Sequence, residues 1–132
     1  MDLKKYNVAA AADNGADLEL VDPITGDALE GVTIRLLGTD SAAYRNYARD
    51  MQRKRIEKLA KSRNRKYDFS VSDREEAEML AVCTVGWAGL EEDGEELKHS
   101  HDAAVKLYMD YPWIKEQVDA FIGDRANFLA KP

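Results

Sequence analysis

The sequence predicts a mainly helical α+β domain in which a small N-terminal β-hairpin is followed by about four helices. Three patterns carry that expectation. Short stretches within residues 18–36 alternate apolar and polar side chains on either side of a turn, which is the period of a half-buried strand. Residues 44–128 instead repeat apolar side chains every three or four positions, and helix-starting residues stand ahead of those repeats. One domain is expected over residues 17–132, since a chain of 132 residues buries roughly two thirds of its unfolded surface and folds without covalent staples.

Taken in order, residues 1–16 mix Ala, Asn, Asp and Gly without a clean period and read as a flexible N-terminal arm with room for a short helical turn. Leu18-Glu19-Leu20 and Val32-Thr33-Ile34-Arg35-Leu36 read as two strands. Asp22-Pro23-Ile24-Thr25-Gly26-Asp27 between them has the composition of a turn. Two strands alone are marginal in water, so they must pack on the helices that follow. Gly38 ends the strands, and Thr39 or Asp40 is placed to cap a helix. Tyr44, Tyr47, Ala48, Met51, Ile56 and Leu59 give that helix a broad apolar arc, and it is expected to stop between Ser62 and Lys66. A second helix opens at Ser72-Asp73-Arg74-Glu75, a capping-box pattern, and buries Ala77, Leu80, Ala81 and Thr84. Gly86 to Gly94 reads as an acidic, glycine-rich loop anchored by Trp87. Ser100 caps a third helix with Ala103, Ala104, Leu107, Tyr108 and Tyr111. Pro112 starts a fourth with Ile114, Val118, Phe121, Ile122 and Phe128.

The net charge of −6 conceals an uneven distribution: residues 41–66 hold ten lysines and arginines against Asp50 and Glu57, and much of the acid lies between Asp68 and Glu96. Such a division lets a basic surface meet an acidic one within the fold, between copies or on a partner. No apolar run is long enough for a membrane span, and the charged start Met1-Asp2-Leu3-Lys4-Lys5 lacks the apolar stretch of a signal peptide. The single cysteine, Cys83, has no internal partner and sits among apolar residues, so it is read as core.

Catalytic chemistry has few carriers. His99-Ser100-His101-Asp102 is the one cluster that resembles a metal site, but with no further histidine the ligand count falls short of a zinc site, so neither metal nor cofactor is expected. Glu91 to Glu96 lacks the ligand spacing of a calcium loop. No phosphate-binding glycine loop or nucleophile elbow is present, and the protein is not expected to be an enzyme. The basic helix could bind phosphates, with Tyr44, Tyr47 and Tyr67 offered for base stacking. Tyr44 and Tyr47 fall on the apolar arc, however, and the acidic remainder of the chain repels nucleic acid, so a protein-binding or intramolecular role is favoured for the basic helix, with Arg45, Arg49 and Arg53 as candidate partner-binding residues.

Thr84-Val85-Gly86-Trp87-Ala88-Gly89-Leu90, the acidic turn at Gly94, Ser100, the run Tyr111-Pro112-Trp113-Ile114, and then Val118, Ile122 and Phe128 together resemble the tail assembly chaperones of long-tailed bacteriophages. Leu18 to Gly26 and Gly38-Thr39-Asp40-Ser41 are similar to that family's strand, turn and helix start, so the resemblance spans roughly residues 17–128. The family often has an aromatic residue after the acidic turn, where this chain has Leu97-Lys98-His99. The resemblance implies a chaperone in the host cytoplasm that binds the tape-measure protein, helps recruit tail-tube subunits and is absent from the mature virion. It also implies that a frameshifted longer form exists in some members. Trp113, Tyr108 and Tyr111 are then the candidate partner-binding aromatics, whereas Trp87, Phe121 and Ile122 are read as structural anchors. Self-association stays open, as do two alternatives: a nucleic-acid-binding protein using residues 41–66, and a tail or connector component retained in the virion.

Overall fold

A computed structural model describes residues 1–61 and 72–129. The expected end of the basic helix, with Arg63, and Tyr67 lie outside the described residues. The chain is a single α+β domain, with five α-helices and a small antiparallel sheet among the described residues. Strand β1 (Ala16–Val21) pairs with β2 (Ala28–Leu36), as the alternation predicts. At the turn, the Asp22 carboxylate accepts from the Ile24 and Thr25 amides at 2.8 and 3.2 Å, the local bonding that makes Asp a turn former. Leu20, Ile34 and Leu36 point inward and are buried.

Helices α3 (Asp73–Val82), α4 (His101–Asp110) and α5 (Pro112–Ile122) cover that inner face. Ala77, Leu80 and Ala81 from α3, Ala104, Val105 and Leu107 from α4, and Ile114, Val118 and Ile122 from α5 form one core with the three sheet residues. Their spacing of three and four places each set on one helical face. The caps hold as expected at Ser72, whose side chain accepts from the Glu75 amide, and at Ser100, which accepts from the Ala103 amide. The Gln117 side chain of α5 both accepts from the Val21 amide and donates to its carbonyl, each at 2.9 Å, so α5 is tied to the sheet edge.

Four expectations need correction. Thr84 belongs to no helix, and the segment Gly86 to Ala88 is no loop: Thr84–Ala88 is a third strand, β3, paired with β2. It can lie there because Gly31, at φ +77°, takes up a bulge in β2 that brings the Gly31 carbonyl against Gly89. The acidic stretch that follows is a small hairpin, β4 (Glu91–Glu92) and β5 (Glu95–Glu96), closed by Asp93 and Gly94, both at positive φ. Residues 1–16, expected as a loose arm, contain a 3-10 turn over Leu3–Tyr6 and helix α1 (Val8–Asn14), with Ala12 buried. Finally, neither Thr39 nor Asp40 caps the basic helix α2 (Ala42–Lys61). Ser41 does, accepting from the Tyr44 amide at 3.2 Å, and Asp13 of α1 accepts from the Ala42 amide at 2.8 Å.

Helix α2 differs from the others in having no buried residue. Tyr44 and Tyr47, expected as core, are half-buried, and Ile56 and Leu59 are 61% and 45% exposed. Its apolar arc is therefore covered over the first turns only. Among the described residues no helix is long and apolar enough to cross a membrane.

Candidate functional site

Between the bulged part of the sheet and the junction of α4 with α5 lies an apolar groove of about 270 Å³. Leu20, Leu29 and Val32 form its sheet wall, Leu90 and Leu97 its floor, and Leu107, Tyr111, Trp113 and Ile114 its helical wall. The wall exists because Pro112 breaks the helical run: Tyr111 leaves helical angles before it, at φ −125° and ψ 80°, and Trp113 lies in the first turn of the next helix. Two aromatic side chains from two helices are thereby brought to one opening.

Polar contacts fix the groove's shape. Trp87 donates its indole N–H to the Leu97 carbonyl at 2.8 Å and meets His99 edge-on with ring centroids 4.9 Å apart, so Leu97 is held in place from beneath. Trp87 thus ties β3 to the segment that carries Leu97. The Tyr111 hydroxyl donates to Glu92 Oε2 at 2.9 Å, and this hydrogen bond, with the charge of Glu92, holds the phenol above its ordinary pKa. The groove's rim is acidic: Glu91 lines it and the rest of the β4–β5 hairpin continues from there.

The structure separates the sequence-predicted partner residues into three groups. Tyr111 and Trp113 line the groove. Tyr108 does not: it is 1% exposed and bonded to Thr84, its hydroxyl 2.7 Å from the Thr84 hydroxyl, and burial pushes its pKa up to about 12. A partner cannot reach it, because α4 turns Tyr108 inward with Ala104 while Tyr111 falls at the helix end. Arg45, Arg49 and Arg53 lie on α2, no residue of which lines the groove. Arg45 donates to the Asp40 and Ser41 carbonyls, Arg53 pairs with Asp50 at 3.3 Å, and Arg49 is exposed. Of the remaining anchors, Ile122 is core and Phe121 meets Phe128 edge-on at 5.5 Å.

Leu29, Val32 and Leu97 complete the groove and were not singled out from the sequence as site residues. The signal for Leu29 and Val32 was present in the strand alternation, but the bulge at Gly31 decides which face they take. A second hollow, of about 250 Å³, runs between α2 and α3 over Tyr47, Met51 and Met79. One ion pair crosses it, Arg55 of α2 donating to Glu75 of α3 at 3.0 Å, while Lys115 of α5 pairs with Glu76 and ties α3 to α5. Glu75, at the third helical position of the capping-box pattern, accepts from Arg55 and fastens α2 to α3.

Cys83 is buried and its thiol is pushed up to about 12 by burial, so it stays protonated at neutral pH. Among the described residues no three His, Cys, Asp or Glu side chains are grouped to hold a metal ion. The groove offers apolar surface, two aromatic side chains and an acidic rim, which suit the binding of an apolar helix ridge flanked by basic residues. No family model, curated protein or solved structure matches this chain.

Proposed function

We propose that this protein is an assembly chaperone of long bacteriophage tails that holds an amphipathic helix of the tape-measure protein in the Trp113 groove. The resemblance of residues 17–128 to that chaperone family supplies the client. The observation that carries the binding mode is the groove itself, where Tyr111 and Trp113 stand over Leu29, Val32 and Leu97. Aromatic side chains in a desolvated pocket dominate helix-in-groove recognition, and an acidic rim speeds the approach of a basic client and fixes its register. On this reading the chaperone acts in the host cytoplasm, recruits tail-tube subunits to the client and leaves before the virion is complete.

The test is a titration of labelled chaperone, at nanomolar concentration, with the tape-measure and tail-tube proteins. Trp113→Ala removes one central anchor, so affinity for the tape-measure protein falls about 30-fold, the equivalent of about 2 kcal/mol. A wild-type protein that retains neither client at micromolar concentration overturns the reading. So does its recovery as a stoichiometric component of purified virions, which would make it a structural part of the tail.

A further inference from the structure

We infer that the outer half of α2 from a second copy of this chain docks in the Trp113 groove, so that the protein associates head to tail. The two surfaces are each half of one contact. On α2, Ile56 and Leu59 lie one turn apart on a largely uncovered stretch, and Arg49 and Arg53 fall on the same side of the helix with exposed side chains. Arg55, held by Glu75, keeps this stretch on α3 and away from the groove of its own chain. The groove has the reverse character: its floor is apolar and its rim is the β4–β5 hairpin.

That hairpin is unusual in its charge. Glu91 lies directly opposite Glu96 and Glu92 directly opposite Glu95, with Asp93 at the turn. Like charges across a ladder destabilise it. None of the five carboxylates meets a lysine or arginine among the described residues. Cations brought by an occupant relieve that repulsion, and an apolar ridge on the same occupant fills the groove. A basic helix with two exposed apolar side chains meets both requirements, and the chain carries one in α2, no residue of which lines the groove. The two patches differ, so the contact is heterologous: it leaves one groove and one helix free at the ends and can extend or close into a ring. A client helix and a second copy then compete for one groove. The inference stands apart from the client's identity, because it concerns the purified protein alone.

Sedimentation velocity of the full chain, from about 1 to 200 µM at low and moderate salt, gives the readout. The wild type shifts to larger species as concentration rises and returns toward monomer as salt screens the contact. Arg49→Glu/Arg53→Glu and Glu91→Lys/Glu96→Lys each stay monomeric, since each places like charges together. Mixed in equal amounts they associate and grow again in alternation, because acidic α2 then meets a basic hairpin and basic α2 an acidic one. A chain carrying all four changes associates again. Ile56→Asp is monomeric with an unchanged circular dichroism spectrum. A wild type that stays monomeric throughout overturns the inference, as does association that survives Glu91→Lys/Glu96→Lys. Binding of DNA or RNA that is lost in Arg49→Glu/Arg53→Glu but kept in the hairpin variant, with no self-association, would assign α2 to nucleic acid. Self-association without client binding would remove the chaperone proposal and leave this one intact.

Discussion

The Thr84 and Tyr108 hydroxyls allow an asymmetric double-mutant cycle. Thr84 donates its one hydroxyl hydrogen to the Leu80 carbonyl at 2.8 Å, so the proton between the two hydroxyls must come from Tyr108. Tyr108→Phe therefore removes a donor and leaves Thr84 still bonded, at a cost of about 1 kcal/mol. Thr84→Val strands a Tyr108 hydroxyl that is 1% exposed, and an unsatisfied buried hydroxyl costs about 1–3 kcal/mol beyond the bond itself. The Leu80 carbonyl keeps the Cys83 amide at 3.1 Å and adds little. In the double variant no hydroxyl is stranded, so the two changes together cost less than their sum, with a coupling of about 1 kcal/mol. Urea unfolding followed by circular dichroism, with an unchanged slope against denaturant, measures all four corners. The reasoning fails if the changes are additive to within about 0.3 kcal/mol, or if Tyr108→Phe costs more than Thr84→Val. Tyr108→Phe also leaves client affinity unchanged, which separates a core tyrosine from a recognition residue.

Three further outcomes follow from the same geometry. A Cβ at Gly89 would sit 2.3 Å from the Gly31 carbonyl oxygen at φ +80°, so Gly89→Ala destabilises by about 2–4 kcal/mol, whereas Gly86→Ala, with open space around it, stays within about 0.5; thermal unfolding of the pair checks this. The bidentate Arg125 contact, at 2.7 and 3.0 Å, holds Asp40 below its ordinary value of 3.8. A lowered carboxyl stabilises the fold above that value and loses the contribution as pH falls through it, so Asp40→Asn flattens the acid limb of a stability profile. At the other end, Tyr108 is raised from 10.0 and Cys83 from 9.0, each to about 12. Their neutral forms support the fold fully below pH 9, and stability declines from there toward pH 12, with Cys83→Ala delaying the onset in an alkaline titration.

Local patterning revealed much of this fold because the hairpin and the last helices bury whole faces. Leu20, Ile34 and Leu36 alternate, and Ile114, Val118 and Ile122 recur every four residues, so period alone assigns them. Thr84 shows where period misleads. It stands four residues after Leu80 and is buried, as a helical reading requires, yet it belongs to β3, whose pairing with β2 is a contact across nearly fifty residues that no local pattern records. The Asp93-Gly94 dipeptide did carry a hairpin signal, but the glutamates on either side lack the alternation of a strand. In the groove, Trp113 and Tyr111 were legible as aromatics beside a proline. Tyr108, one turn earlier on the same apolar face, was not distinguishable from them, because its burial depends on where β3 begins, at Thr84. For α2 the arc through Ile56 and Leu59 was visible, but periodicity reports an apolar face without reporting what covers it.

That last point separates stability from association in a way the chain can be made to display. The core closes through the sheet, α3, α4 and α5, and α2 joins it by the Ser41 cap, the Asp13 contact, half-buried Tyr44 and the Arg55–Glu75 pair, all before Ile56. Ile56 is 61% exposed, so substitution there changes unfolding free energy by less than about 0.5 kcal/mol. Exposed apolar residues beside a basic stripe are then available to the contact between copies inferred above. Measured side by side, Ile56→Asp alters concentration-dependent sedimentation with no change in urea midpoint, and Thr84→Val alters the midpoint with no change in sedimentation at temperatures where it is folded. A loss of stability in Ile56→Asp comparable to that in Thr84→Val would place Ile56 in the core and remove the reason to give it a partner.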